Sequence, residues 1–106
     1  MVQRFTKQPS EIERVGVNFK SRLSSGDAIA SATFVVRDTA GTDVSSEIAQ
    51  AASAAVTDED ADGTNDTASI KVQSGTDNTE YKMTIAATTS DSLVFEEDVI
   101  IHVIER

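Results

Sequence analysis

Gly75–Thr89, GTDNTEYKMTIAATT, opens with a turn and continues as a strand. Gly75, Asp77 and Asn78 supply the turn, because such residues tolerate unusual backbone angles and bond to their own backbone. Apolar and polar residues then alternate. Tyr81, Met83, Ile85 and Ala87 share one side; Glu80, Lys82, Thr84 and Ala86 share the other. A period of two is that of a strand with one face buried and one wet. Leu93–Ile104 follows closely, with Phe95, Val99, Ile101 and Val103 on one face and Ile100, His102 and Ile104 on the other. The two stretches predict a hairpin of an antiparallel β domain.

Working outward, Ala68, Ile70 and Val72 alternate with Ser69, Lys71 and Gln73, which predicts the preceding strand. Nearer the start, Ile12, Val15, Val17 and Phe19 mark another. Between turns at Ser24–Asp27 and Asp38–Thr42 lies Ala28–Arg37, apolar on both faces, which predicts a central position or a second contact surface. Asp43–Val56 carries two periods. Val44, Ile48, Ala51, Ala52, Ala55 and Val56 recur at helical spacing, and Ala is the best helix former. A strand through Val44–Ile48 followed by a turn keeps an all-β meander in step, and we expect the strand. Gln8-Pro9-Ser10 breaks regular structure, since Pro9 lacks a donor and restricts Gln8. Arg4–Lys7 therefore reads as an edge strand or an ordered arm, with a free tail as the alternative.

About seven short strands with turn signals between them are the pattern of a β-sandwich. Tyr81 adds detail. A Tyr at the start of the penultimate strand, two residues before a buried position, is placed as in the tyrosine corner of immunoglobulin-like domains, with Met83 where such domains carry their second Cys. The expected fold is all-β, an immunoglobulin-like antiparallel β-sandwich of about seven strands. Residues 1–10 form an N-terminal arm or edge strand and residues 11–106 a single immunoglobulin-like domain. Tyr81, Met83, Phe19, Phe34 and Phe95 are the expected structural side chains.

The chain has 106 residues, enough for one domain with one core. Its net charge of −9 opposes binding to nucleic acid or to anionic membranes. With no cysteine, disulfides, thiolate metal sites and Cys nucleophiles are excluded. The first residues, Met1-Val2-Gln3-Arg4-Phe5, lack the apolar run of a signal peptide, so the chain reads as a complete cytoplasmic product starting at Met1.

The sharpest local signal is the acidic loop Thr57–Asp66. Asp58, Asp60, Asp62 and Gly63 match the opening of a calcium loop, whose alternate carboxylates wrap a hard cation around a glycine turn. The twelfth position, which needs a bidentate Glu, is Ser69. A solvated hairpin loop is the plainer reading, and we expect no cofactor apart from calcium as the alternative there. His102, the only histidine, and the run Glu96-Glu97-Asp98 are unframed by any catalytic motif, and we expect no enzyme.

Three stretches carry a resemblance. They are Phe5–Glu11 running into Val17-Asn18-Phe19 and Leu23; Gly75-Thr76-Asp77 followed by Tyr81–Ile85; and Ala87–Ser90 with Val94–Asp98 and a closing apolar strand ending in Glu105. The chain resembles a small family of tailed-phage virion structural proteins with an immunoglobulin-like sandwich. The resemblance implies a non-enzymatic building block that decorates the capsid or connects neck, tail or fibre components. It implies other virion proteins as partners, a place in the virion, and assembly in the host cytoplasm. Virion proteins are as a rule symmetric oligomers, so a homo-oligomer is expected. Phe5, Pro9, Ile100 and Ile104 are the expected interface residues. The alternative is an immunoglobulin-like adhesion or carbohydrate-binding module using calcium at the acidic loop.

Overall fold

The computed structural model describes residues 2–23, 26–49, 54–58 and 63–105, with the side chains of residues 2 and 3 left aside. Its strands are β1 (Val2–Lys7), β2 (Glu13–Asn18), β3 (Ile29–Arg37), β4 (Ala55–Thr57), β5 (Thr67–Val72), β6 (Thr79–Thr89) and β7 (Val94–Val103). A four-stranded sheet runs β1-β7-β6-β3 and a three-stranded sheet runs β2-β5-β4. This is the immunoglobulin division of strands, with the first strand lying on the sheet of the last.

Alternation decides what the sheets enclose. Val15, Val17, Ala68, Ile70 and Val72 come inward from one sheet; Met83, Ile85, Ala87, Val99, Ile101 and Val103 come from the other, and all are buried. Phe19, just past β2, is wholly buried, while Phe34 and Phe95 are half-buried and packed against this core. β6 and β7 pair antiparallel from Thr79↔Val103 to Thr88↔Val94, the hairpin that the alternation predicts.

Four expectations are corrected. Val44–Ile48 is not a strand: Ser45–Ile48 form a short helix, α1. The cause is local. The Asp43 carboxylate accepts from the Ser45 N–H at 3.0 Å and from its hydroxyl at 2.6 Å, which turns the chain. The Val44 N–H then donates to the Val36 carbonyl, and Ile48 closes the end of the core. The strand wanted for the meander lies later, at β4, which takes Thr57 out of the acidic loop. Ala51 and Ala52 lie outside the described residues.

Second, the pairing is not antiparallel throughout, because β1 runs parallel to β7. Third, β3 lies at a sheet edge, not in the centre. A bulge between Ile29 and Ser31 lets Ile29 and Ala32 both turn inward, while Val35 stays on the outer face. Fourth, β2 begins at Glu13, so Ile12, expected within that strand, precedes it and is 56% exposed.

The Ser45 bonds, hydroxyl first and amide second, hold the Asp43 carboxyl below its ordinary value of 3.8. The folded form therefore releases its proton more readily than the unfolded one. The contribution is full above pH 3.8 and is lost as pH falls through the folded value. We expect amide exchange of Ser45–Ile48 to accelerate, relative to the β6–β7 amides, on acidification below this point. Uniform exchange throughout would refute the Asp43–Ser45 bonds as the cause of the helix.

Candidate interaction surfaces

At one end of the molecule, Tyr81 is buried and its hydroxyl accepts a bond from the Thr76 N–H at 2.9 Å. The ring stands at the start of β6 and its oxygen reaches back over the turn, which is tyrosine-corner geometry. Met83, next on the same face, is wholly buried. Tyr81→Phe removes one hydrogen bond and keeps the ring, so a loss of about 1 kcal/mol is expected in urea denaturation. An unchanged midpoint would remove the hydroxyl from the account of stability.

The same end holds a feature with no sequence signal. Lys7, the last residue of β1, points inward and is 0% exposed. Its ammonium donates to the carbonyls of Gln8 at 2.7 Å, Ser74 at 2.6 Å and, at the long limit, Pro9 at 3.5 Å. Burial lowers its pKa below 10.5, opposed by the charges of Glu11 and Glu13. The Lys7 carbonyl accepts from the Ile104 N–H, so the parallel pairing continues one step beyond the strands. β1, the β1–β2 turn and the β5–β6 turn are thus tied by one side chain.

Of the expected interface residues, Phe5 turns inward opposite Ile101 and packs against the core. Pro9 is half-buried in the β1–β2 turn. Ile100 is half-buried on the outer face of the four-stranded sheet, and Ile104 is half-buried just past β7.

Register orders that outer face into transverse rows. Arg4, Ile100, Lys82 and Arg37 form one; Thr6, His102 and Glu80 the next; Asp98, Thr84 and Val35 another. Arg4 and Lys82 on it face carboxylates, and Arg37 donates to the Gly41 carbonyl at 3.3 Å. Arg4 pairs with Glu80, and Lys82 lies 3.4 Å from Asp98. His102 therefore sits between a threonine and a glutamate already held by arginine. The acidic run is likewise engaged: Thr84 donates to Asp98 at 2.8 Å, and Arg22 donates to Glu97 at 2.9 Å. Arg22 also lies over the Phe95 ring, 4.6 Å from its centroid, pinning the 3-10 turn Lys20–Arg22 to β7.

The outer face of the three-stranded sheet is different. Its rows are Arg14 with Lys71; Gly16, Ser69 and Ala55; and Asn18, Thr67 and Thr57. Among the described residues these rows carry cations and small or polar side chains and no carboxylate.

In the acidic loop, Asp58 Oδ2 accepts from the Gly63 N–H at 2.7 Å, which closes the turn upon itself. Asp60 and Asp62 lie outside the described residues. Among the described residues no group of three or more His, Cys, Asp or Glu is placed to hold a metal ion.

Two sheets packed about one core, with a tyrosine corner at one end, define an immunoglobulin-like sandwich. The chain belongs to the family described as podophage GP4 fiber-tail adaptor protein gp77, which it matches over residues 7–102. This is a tailed-phage virion structural family, and the protein is a phage structural protein. A family of structural adaptors implies a non-enzymatic protein of the virion, with tail or fibre proteins as partners. No curated protein matches the chain.

Proposed function

We propose that this chain is an adaptor that links fibre and tail components of a phage particle. The single observation that carries the reading is the family match over residues 7–102, which spans the sandwich from the end of β1 almost to the end of β7. The fold suits the task. β1 is an outer strand of its sheet, stapled by Lys7, and offers its edge together with Pro9, Ile100 and Ile104 to a neighbour. Several copies act together as a homo-oligomer, assembled in the host cytoplasm. Capsid decoration and neck connection are the competing placements. A sugar-binding adhesion role gains nothing from the described rings, since Phe19 and Tyr81 are buried and Phe5, Phe34 and Phe95 are half-buried. Mass spectrometry of purified particles, separated into heads and tails, tests the proposal. The chain is expected in the tail and fibre fraction; recovery with heads alone would overturn it.

A further inference from the structure

β2, β5 and β4 turn alternate residues outward, and register brings Arg14 directly opposite Lys71. Like charges opposed across a strand pair are unfavourable. Among the described residues no acidic side chain falls in the outward rows of this face. On the other sheet Arg37 also stands opposite Lys82, but there Lys82 has Asp98, as Arg4 has Glu80 and Arg22 has Glu97. Here the Arg14 guanidinium donates to the Ser69 hydroxyl at 3.0 Å, and Lys71 is exposed with no partner among the described residues.

Beside the two cations the face is low. At Gly16 an added Cβ would stand 2.9 Å from both the Ala68 carbonyl oxygen and the Ser69 Cβ, so no side chain rises there. The outward positions of the central strand, Thr67 and Ser69, are 8% and 5% exposed, and the open part of the face is β4, where Ala55 and Thr57 are exposed with short side chains. An extended segment can lie along the exposed β4 side of this face while its carboxylates reach the cation row. Arg offers a planar fork for bidentate carboxylate binding and Lys a point charge.

We propose that the outer face of β2-β5-β4 is a docking surface for an acidic segment of a neighbouring virion protein, held by Arg14 and Lys71. This rests on the adaptor reading for the existence of such a neighbour. A second copy is a poor occupant, because packing this face on itself would set Arg14 and Lys71 against the same cations. A short segment meets mainly the local charge, since exposed charges beyond about 8 Å are screened at physiological salt.

The test uses a ten-residue polyglutamate peptide and the amide spectrum of the whole chain. Shifts confined to β2, β5 and β4, including Gly16, Ser69 and Lys71, are expected, and should fade with added salt. The pair Arg14→Glu with Lys71→Glu should weaken binding by roughly tenfold or more, since two exposed ion pairs are removed and repulsion is added. The pair Arg14→Gln with Lys71→Gln should weaken it less and covers the case in which the reversed pair fails to fold. Absent shifts, shifts on another face, or shifts unchanged in both variants would overturn the proposal. Concentration-dependent association of the chain alone, abolished by the same variants, would reassign the face to a second copy and equally overturn it. Neither result bears on whether the chain occurs in tails, which particle analysis decides separately.

Discussion

Phe19→Ala is expected to lower stability by about 3–5 kcal/mol, the usual cost of truncating a fully buried ring. Phe19 is 0% exposed and stands just past β2, where the chain leaves the sheet for the Lys20–Arg22 turn. Its ring fills the core, and its N–H donates to the Asp66 carbonyl at 2.7 Å, tying the end of β2 to the start of β5. Alanine keeps the backbone bond and leaves a cavity, so the cost reports packing alone. The core is otherwise rich in Val, Ile and Ala, with few large side chains to swing into the gap. A domain of this size is stable by roughly 5–15 kcal/mol, so the variant should unfold at a much lower urea concentration, or fail to fold at all. A loss below about 1 kcal/mol, the mark of a site that collapses freely, would contradict this placement of the ring.

Lys7→Met is expected to cost about 2 kcal/mol. Methionine keeps the length of the stem within the core and removes the donors. The carbonyls of Gln8 and Ser74 then lose a charged partner, and hydrogen bonds to charged groups are worth roughly 1.5–3 kcal/mol each. Relief from burying an ammonium offsets part of this loss. The change should also loosen β1, seen as faster amide exchange there than in β6. A pH signature separates the two terms. The folded pKa of Lys7 lies below 10.5, so the unfolded chain binds more protons in the window between the two values. Wild-type stability therefore gains from Lys7 as pH rises through the folded value towards 10.5, and the difference between wild type and variant should widen over that window. A constant difference, or no loss at neutral pH, would show that the ammonium is not held as described.

The strands were legible where a single local period decides them. The odd residues from Tyr81 to Ala87 face the core, as do Val15 and Val17, because side chains alternate whatever a strand pairs with. Asp43–Val56 was legible only as an ambiguity. Val44 and Ile48 fall on the same side in either a strand or a helix, and the bonds from Ser45 to Asp43 break the tie. The resemblance in the two terminal thirds pointed to a phage structural protein, and the family match extends through the middle stretch that those residues left out.

The candidate surfaces were much less visible. Lysine is almost never fully buried unless paired, so Lys7 reads as a wet residue at a strand end. Only the approach of Ser74, sixty-seven positions away in the chain, gives it a partner inside. Arg14 and Lys71 are unremarkable apart and become a cation row only through the β2–β5 register. That Phe5 stands opposite Ile101 follows only from the parallel pairing of β1 with β7.

The sequence alone thus determined the all-β class, the inward faces of the main strands and the phage structural lineage. These follow from nearest-neighbour alternation, turn chemistry and motif likeness, which are local in the chain. The parallel β1–β7 pair, the edge position of β3, the buried Lys7 and the uncompensated Arg14–Lys71 row were decided by tertiary structure. Each depends on which distant backbone supplies the hydrogen bonds, and no local period encodes that choice.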